Sequence, residues 1–67
     1  MTDKTTDLAE FELPYRRKAT LKMAEFESGM KMLRLVLREG TRITQIDLDA
    51  ASARSLAAAL SQAAQDL

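Results

Sequence analysis

The feature that most constrains the fold is a change of hydrophobic period, from the alternation that runs between Met30 and Asp49 to helical spacing after Asp49. Leu33, Leu35 and Leu37 recur at every second position, which is typical of one face of a β-strand. A turn signal follows at residues 38–41, and a second alternating run ends at Asp49. Beyond it the chain is alanine-rich and has helical spacing. The change from period 2 to period 3.6 predicts a hairpin that leads into a helix.

Three strands and one helix are predicted, with strands at residues 16–26, 30–38 and 41–48. Glycines separate these strands and supply the positive φ that tight hairpins often need. Asp49 is a good N-cap for a helix that runs from about residue 50 to about residue 66. The predicted fold class is α+β, a three-stranded antiparallel β-meander followed by one C-terminal α-helix packed on one face, β-β-β-α.

Residues 1–13 are predicted to form a flexible acidic N-terminal arm, and residues 14–67 a single domain. The first residues are polar and have little apolar surface to bury. Pro14 lacks a backbone N–H group, so we expect it at the entry to an edge strand. The net charge is zero, but acidic ends flank a basic middle that spans residues 14–46.

The size and composition of the chain favour association with a protein partner. A domain of about this size buries only about 60% of the surface of its unfolded chain, and small domains often rely on disulfides, metals or oligomerisation. The 67 residues include no cysteine and no histidine, which excludes disulfides and thiolate metal sites. No targeting segment and no apolar run of about 20 residues is present. We therefore expect a cytoplasmic protein.

Catalysis has few candidate residues. The acidic pairs at 25 and 27 and at 47 and 49 are interpreted as a solvated strand end and a helix cap. No serine or threonine lies in a nucleophile-elbow pattern, and two glycines are too few for a phosphate-binding loop. We expect no enzymatic activity, no bound metal and no cofactor; a Mg²⁺ or Ca²⁺ site made of carboxylates alone stays open as an alternative, although no loop has the D-x-D-x-D-G spacing.

A second apolar set on the sheet predicts a protein interface. One helix covers one sheet face, so apolar residues on the opposite face require another cover. The cover is expected to be a second copy, which gives a homodimer, or a larger complex. Alternatively, residues 1–13 fold back and cover the patch with Leu8, Phe11 and Leu13. The predicted interface residues are Phe26, Met30, Met32, Arg34, Val36, Arg42 and Ile43.

Nucleic-acid binding is the alternative function. Cations on the outer sheet face would meet phosphates, and a curved sheet with a trailing helix is similar in topology to the PC4-like single-strand-binding domains. Alternatively, these cations pair with Glu25, Glu27, Glu39 and the acidic arm. The residues predicted for nucleic-acid contact are Lys18, Lys22, Arg34, Arg38 and Arg42.

Three segments carry a resemblance to a known family. They are EFESGMKMLR at residues 25–34, REGTRIT at residues 38–44 and IDLD at residues 46–49. Together they resemble a family of short uncharacterised bacterial proteins, a domain of unknown function, with the pattern aromatic-E-S-G-M-x-M-L-R, R-E-G-x-R-[FI]-T and D-L-D. The resemblance implies a bacterial origin and assigns no role to any residue.

Overall fold

The computed structural model describes residues 4–67 and contains a four-stranded antiparallel sheet followed by one helix. The strands follow one another in chain order across the sheet, as a meander. The α+β class and the single C-terminal helix are confirmed, but the sheet has four strands and not three. The elements are β1 (Lys4–Leu13), β2 (Arg17–Glu25), β3 (Lys31–Glu39), β4 (Arg42–Leu48) and α1 (Ala50–Ala64).

The additional strand, β1, occupies most of the segment that was predicted to be an arm. Lys4–Leu13 pairs along its length with β2, and the register shifts once, between Asp7 and Ala9. The pairing has a physical cause, since Glu10 and Glu12 alternate with apolar side chains and both form ion pairs with Lys18 of β2. Pro14 lies in the turn between β1 and β2, not at a strand entry. The rest of the predicted arm, residues 1–3, lies outside the described residues.

The two hairpin glycines have the positive φ angles that their turns require. The loop between β2 and β3 closes when the Gly29 N–H donates to the Phe26 carbonyl at 2.8 Å, with Gly29 at φ 93°. This geometry is that of a three-residue hairpin with a left-handed last residue. Gly40, at φ 62°, is the first of the two residues between β3 and β4, as in a type II′ turn.

Register divides the sheet into two faces, because directly paired residues of neighbouring strands point to the same side. One row contains Leu21, Leu35 and Ile46, and the next contains Met23, Leu33 and Leu48. We call the face that carries these rows the helix-side face, since α1 packs over it. The opposite face is called the far face.

The helix begins at the predicted cap. The Ser52 N–H donates to Oδ1 of Asp49 at 2.7 Å, which satisfies one of the free donors of the first turn. The helix ends at Ala64, two residues before the predicted end. It packs mainly against β3 and β4. In the described part of the chain, no helix is long and apolar enough to cross a membrane.

Candidate functional site

An apolar groove lies between α1 and the helix-side face of the sheet and has a volume of about 360 Å³. It exists because α1 lies mainly over β3 and β4, which leaves the helix-side face of β1 and β2 uncovered. Five of its lining residues belong to the sheet and four belong to the helix. The lining residues are Phe11, Leu21, Leu33, Leu35, Leu48, Ala53, Leu56, Ala57 and Leu60.

Large apolar side chains along this groove remain in contact with water. Phe11 is 50% exposed, Leu56 is 38% exposed and Leu60 is 63% exposed. Among the described residues, Ala19 and Ala24 are the only buried apolar residues. Burying one leucine side chain contributes about 1.5–3 kcal/mol of favourable free energy. A partner that covered these side chains would therefore gain a large hydrophobic contribution to binding.

The chemistry of the groove favours a protein side chain over a small polar ligand. Pockets for small molecules combine apolar walls with a few polar groups that fix the orientation of the ligand. All nine lining residues here are apolar. The groove can therefore exclude water and bury apolar surface, but its walls have no side-chain group that would orient a polar ligand.

The far face carries charged rows that cross the strands. One row reads Asp7, Lys22, Arg34 and Asp47 from β1 to β4, with the acids at the edges and the bases at the centre. Nζ of Lys22 lies 3.8 Å from Oδ1 of Asp7. Arg34 donates from Nε to Oδ1 of Asp47 at 2.8 Å and from Nη2 to Oδ2 at 3.1 Å. This bidentate geometry is the strongest form of side-chain ion pair.

Lys18 is held by two carboxylates on the same face. Its Nζ lies 3.7 Å from Oε2 of Glu10 and 3.7 Å from Oε2 of Glu12, both on β1. The acidic β1 therefore neutralises part of the basic β2. Pairs exposed to this extent each contribute about 0–1 kcal/mol, so their main effect is to lower the positive potential of the face.

Two carboxyl groups have shifted pKa values, each with a local cause. The side-chain hydrogen bond from Arg34 holds the pKa of Asp47 below its usual range. The backbone hydrogen bond from Ser52 lowers the pKa of Asp49 in the same direction. Both shifts stabilise the ionised carboxylate, which is the form that an ion pair and a helix cap require.

The structure does not bring the predicted interface residues together as one apolar patch. Met32, Val36 and Ile43 lie on the far face with Arg34, whose guanidinium is already bonded to Asp47. Phe26 and Met30 lie at the β2–β3 hairpin. Register places Arg42 beside Glu39 on the helix-side face.

Four of the five cations predicted for nucleic-acid contact share the far face, and Arg42 lies on the other side. Lys18, Lys22 and Arg34 are each paired with a carboxylate. The acidic N-terminal segment therefore pairs with Lys18 and Lys22, as one alternative expected, whereas the partner of Arg34 is Asp47 of β4. The same segment does not fold over the far face, since it extends the sheet at its edge.

Sequence reasoning missed the groove because it missed β1. Phe11 was expected either in a flexible arm or folded back over the opposite face, and one helix was expected to cover the whole of the helix-side face. The alternation of Glu10, Phe11, Glu12 and Leu13 is the signal that would have identified a fourth strand. A sheet of four strands is too wide for one helix to cover.

Residues 4–67 contain no group of three or more acidic side chains arranged to hold a metal ion. A sequence model described as a family of unknown function, DUF6967, matches residues 2–66. This match confirms the resemblance to an uncharacterised domain family. Comparison with curated proteins and with solved structures gave no match.

Proposed function

The chain belongs to DUF6967, a family of unknown function, and from its surfaces we propose that it is a non-catalytic protein-association domain. It acts as a homo-oligomer or as an accessory subunit of a larger assembly, and its compartment is the cytoplasm. Its mechanism is the burial of apolar surface rather than chemistry at a reactive side chain.

The observation that carries this proposal is the open groove lined by Phe11, Leu21, Leu35, Leu56 and Leu60. Contiguous exposed apolar surface of this kind marks interaction sites in soluble proteins. The far face supports association less well, because ion pairs across the strands satisfy several of its charges within one chain. The proposed contact surface is therefore the helix-side groove, with the far-face residues Met32, Val36 and Ile43 as the competing surface.

The dimensions of the chain also support association. Its radius of gyration is 13.5 Å. A compact domain of 67 residues is expected to have a radius of gyration of about 11 Å. The excess means that the strands and the helix do not enclose a common centre. A partner that fills the groove would supply the missing half of the core.

Charge substitutions on the two faces test the proposal. Leu60→Glu places a charge in the groove at a side chain that is 63% exposed, so the fold of one chain tolerates it. We expect association to weaken by about 30-fold or more, as for a hot-spot residue of about 2 kcal/mol. Ala58→Glu, on the opposite side of α1, is the matched control and should leave association unchanged. The readout is the solution mass measured by light scattering over a range of concentrations.

A third variant distinguishes the two candidate surfaces. Ile43→Glu places a charge on the far face at a side chain that is 56% exposed. If Ile43→Glu dissociates the protein and Leu60→Glu does not, the contact lies on the far face and the groove assignment is wrong. If the wild-type chain is monomeric, the accessory-subunit form of the proposal predicts a host protein that co-purifies with Ala58→Glu and not with Leu60→Glu.

Nucleic-acid binding is the second candidate function, and one observation favours it: Lys18, Lys22, Arg34 and Arg38 lie on one face. Each phosphate contact would give a steep salt dependence, with a slope of about −0.7 per contact for single strands. The paired carboxylates lower the expected affinity, because they compete with phosphate for the same cations. A titration with a labelled oligonucleotide at low salt measures the affinity, and a steep slope would establish this function.

A further inference from the structure

We infer that the occupant of the groove is helix α1 of a second copy of this chain, lying over β1 and β2. This inference rests on the proposed association function and specifies its partner and its geometry. Each copy would then cover half of its own helix-side face and half of its partner's. Such an arrangement is an isologous contact, in which the same surface of both copies takes part.

The width of the sheet determines how much of its helix-side face α1 leaves uncovered. Four strands spaced about 4.8 Å apart span about 19 Å, whereas a helix with its side chains is about 10–12 Å wide. One helix therefore covers about two strands. Since α1 packs mainly against β3 and β4, the uncovered width over β1 and β2 fits one more helix.

The accessible area of the chain has the magnitude that a dimer needs. The chain exposes 5520 Å². A compact monomer of 7.5 kDa is expected to expose about 4,200 Å². The excess of about 1,300 Å² is more than the roughly 800 Å² that each partner buries in an interface of standard size.

The helix itself offers the matching surface. At about 100° per residue, its apolar side chains fill about half of the circumference, which is wider than the roughly 100° stripe that one sheet contact requires. Leu56 and Leu60 lie near the centre of this half and remain exposed. The charged side chain of Arg54 lies outside it. Within α1 this half contains Ala50, Ala53, Leu56, Ala57, Ala59, Leu60, Ala63 and Ala64, together with the small polar side chain of Ser52.

Charge does not oppose this self-association. Two identical surfaces can approach only if neither carries a net charge at the centre of the contact, because like charges repel across a dry interface. None of the residues that line the groove is charged. The site and the proposed occupant are therefore complementary in chemistry: the uncovered strands match a helix in width, and the groove takes apolar side chains of that helix.

Disulfide trapping between two single-cysteine variants tests this inference. The natural chain has no cysteine, so each introduced thiol is the only one in its chain. Ala9→Cys lies on the helix-side face of β1, since Ala9 pairs with Leu21, and Ala57→Cys lies in the groove on α1. The two variants are mixed in denaturant, refolded together and oxidised. Intact-mass spectrometry then separates the heterodisulfide from both homodisulfides.

The matched control replaces Ala9→Cys with Gln45→Cys, an exposed position on the far face. We expect the Ala9–Ala57 heterodisulfide to be the dominant cross-linked species and the Gln45–Ala57 species to be absent. A dimer by light scattering that cross-links only through Gln45 would overturn this inference and leave the association function intact. A wild-type chain that stays monomeric at all concentrations would overturn this inference together with self-association.

Discussion

At the residue scale, the fold depends on a few turn and cap residues that can be recognised in the sequence. Gly29 and Gly40 hold the left-handed angles of two hairpins, and Asp49 caps the helix through Ser52. The turn between β1 and β2 is different, because Tyr15 and Arg16 hold φ angles of 63° and 61° without being glycine. Non-glycine residues in this region store strain, so this turn is a weak point of the sheet.

The two shifted carboxyl groups predict how stability depends on acid. Because the folded-state pKa values of Asp47 and Asp49 are lowered, their contribution is fully present above the unfolded-state value and is lost as pH falls through the folded-state values. We expect the midpoint of thermal unfolding to fall steadily below about pH 4. In the double variant Asp47→Asn with Asp49→Asn, the decline should be shallower, since asparagine still caps a helix but does not titrate. Equal slopes in both proteins would contradict the assignment.

Reciprocal substitutions test the strain in the first turn. Arg16→Gly removes a strain of about 1–2 kcal/mol from the folded state. Glycine also stabilises the unfolded state by about 0.4–1 kcal/mol through its greater conformational entropy, so we expect the free energy of unfolding to rise by about 0.5–1 kcal/mol. Gly29→Ala should have the opposite effect and destabilise the fold by about 1 kcal/mol or more, although an added Cβ meets no neighbour within 4 Å. Urea denaturation measures both changes. A loss of stability in Arg16→Gly would show that the turn is not strained.

At the scale of elements, β1 is the strand on which the groove depends. Its backbone pairs with β2, its acidic side chains pair with Lys18 and Lys22, and its Phe11 forms one wall of the groove. As an edge strand it also prevents β2 from pairing with other chains. The helix is the complementary element, since its leucines form the opposite wall.

Removing β1 should therefore destabilise the rest of the fold. We expect deletion of residues 1–12 to abolish cooperative unfolding and to promote aggregation through the exposed edge of β2. The matched control is Glu10→Gln with Glu12→Gln, which keeps the strand and removes only its ion pairs with Lys18. That variant should lose at most about 1 kcal/mol for each pair. Circular dichroism melts compare the two, and a truncated chain that melts cooperatively would refute the structural role of β1.

The sequence was sufficient to predict β2, β3, β4, α1 and the Asp49 cap, because alternation, glycine turns and helical spacing are local signals. It was not sufficient for β1. The register shift between Asp7 and Ala9 interrupts the alternation, and the acidic side chains resemble those of a disordered segment. Their pairing with a basic strand is visible only once the strands lie side by side. The interface prediction was made for the opposite face of the sheet, because the helix was expected to cover the helix-side face of a three-stranded sheet.

At the scale of the whole molecule, the chain has one layer of sheet and one layer of helix, and its single helix covers only about half of the sheet. Its principal extents are 43 × 29 × 16 Å, and no large side chain in the described residues is fully buried. A chain of 67 residues has little apolar surface to spare, so leaving Phe11 and Leu60 in water is costly. The proposed association through the groove would account for both the open shape and the wide apolar half of α1.

The measurement that tests this account most directly is the mass of the wild-type protein in solution, followed by light scattering from micromolar to millimolar concentration. We expect a species of twice the 7.5 kDa chain mass, with an unfolding midpoint that rises with concentration, as mass action requires. A species of 7.5 kDa at every concentration, with a cooperative melt independent of concentration, would contradict it.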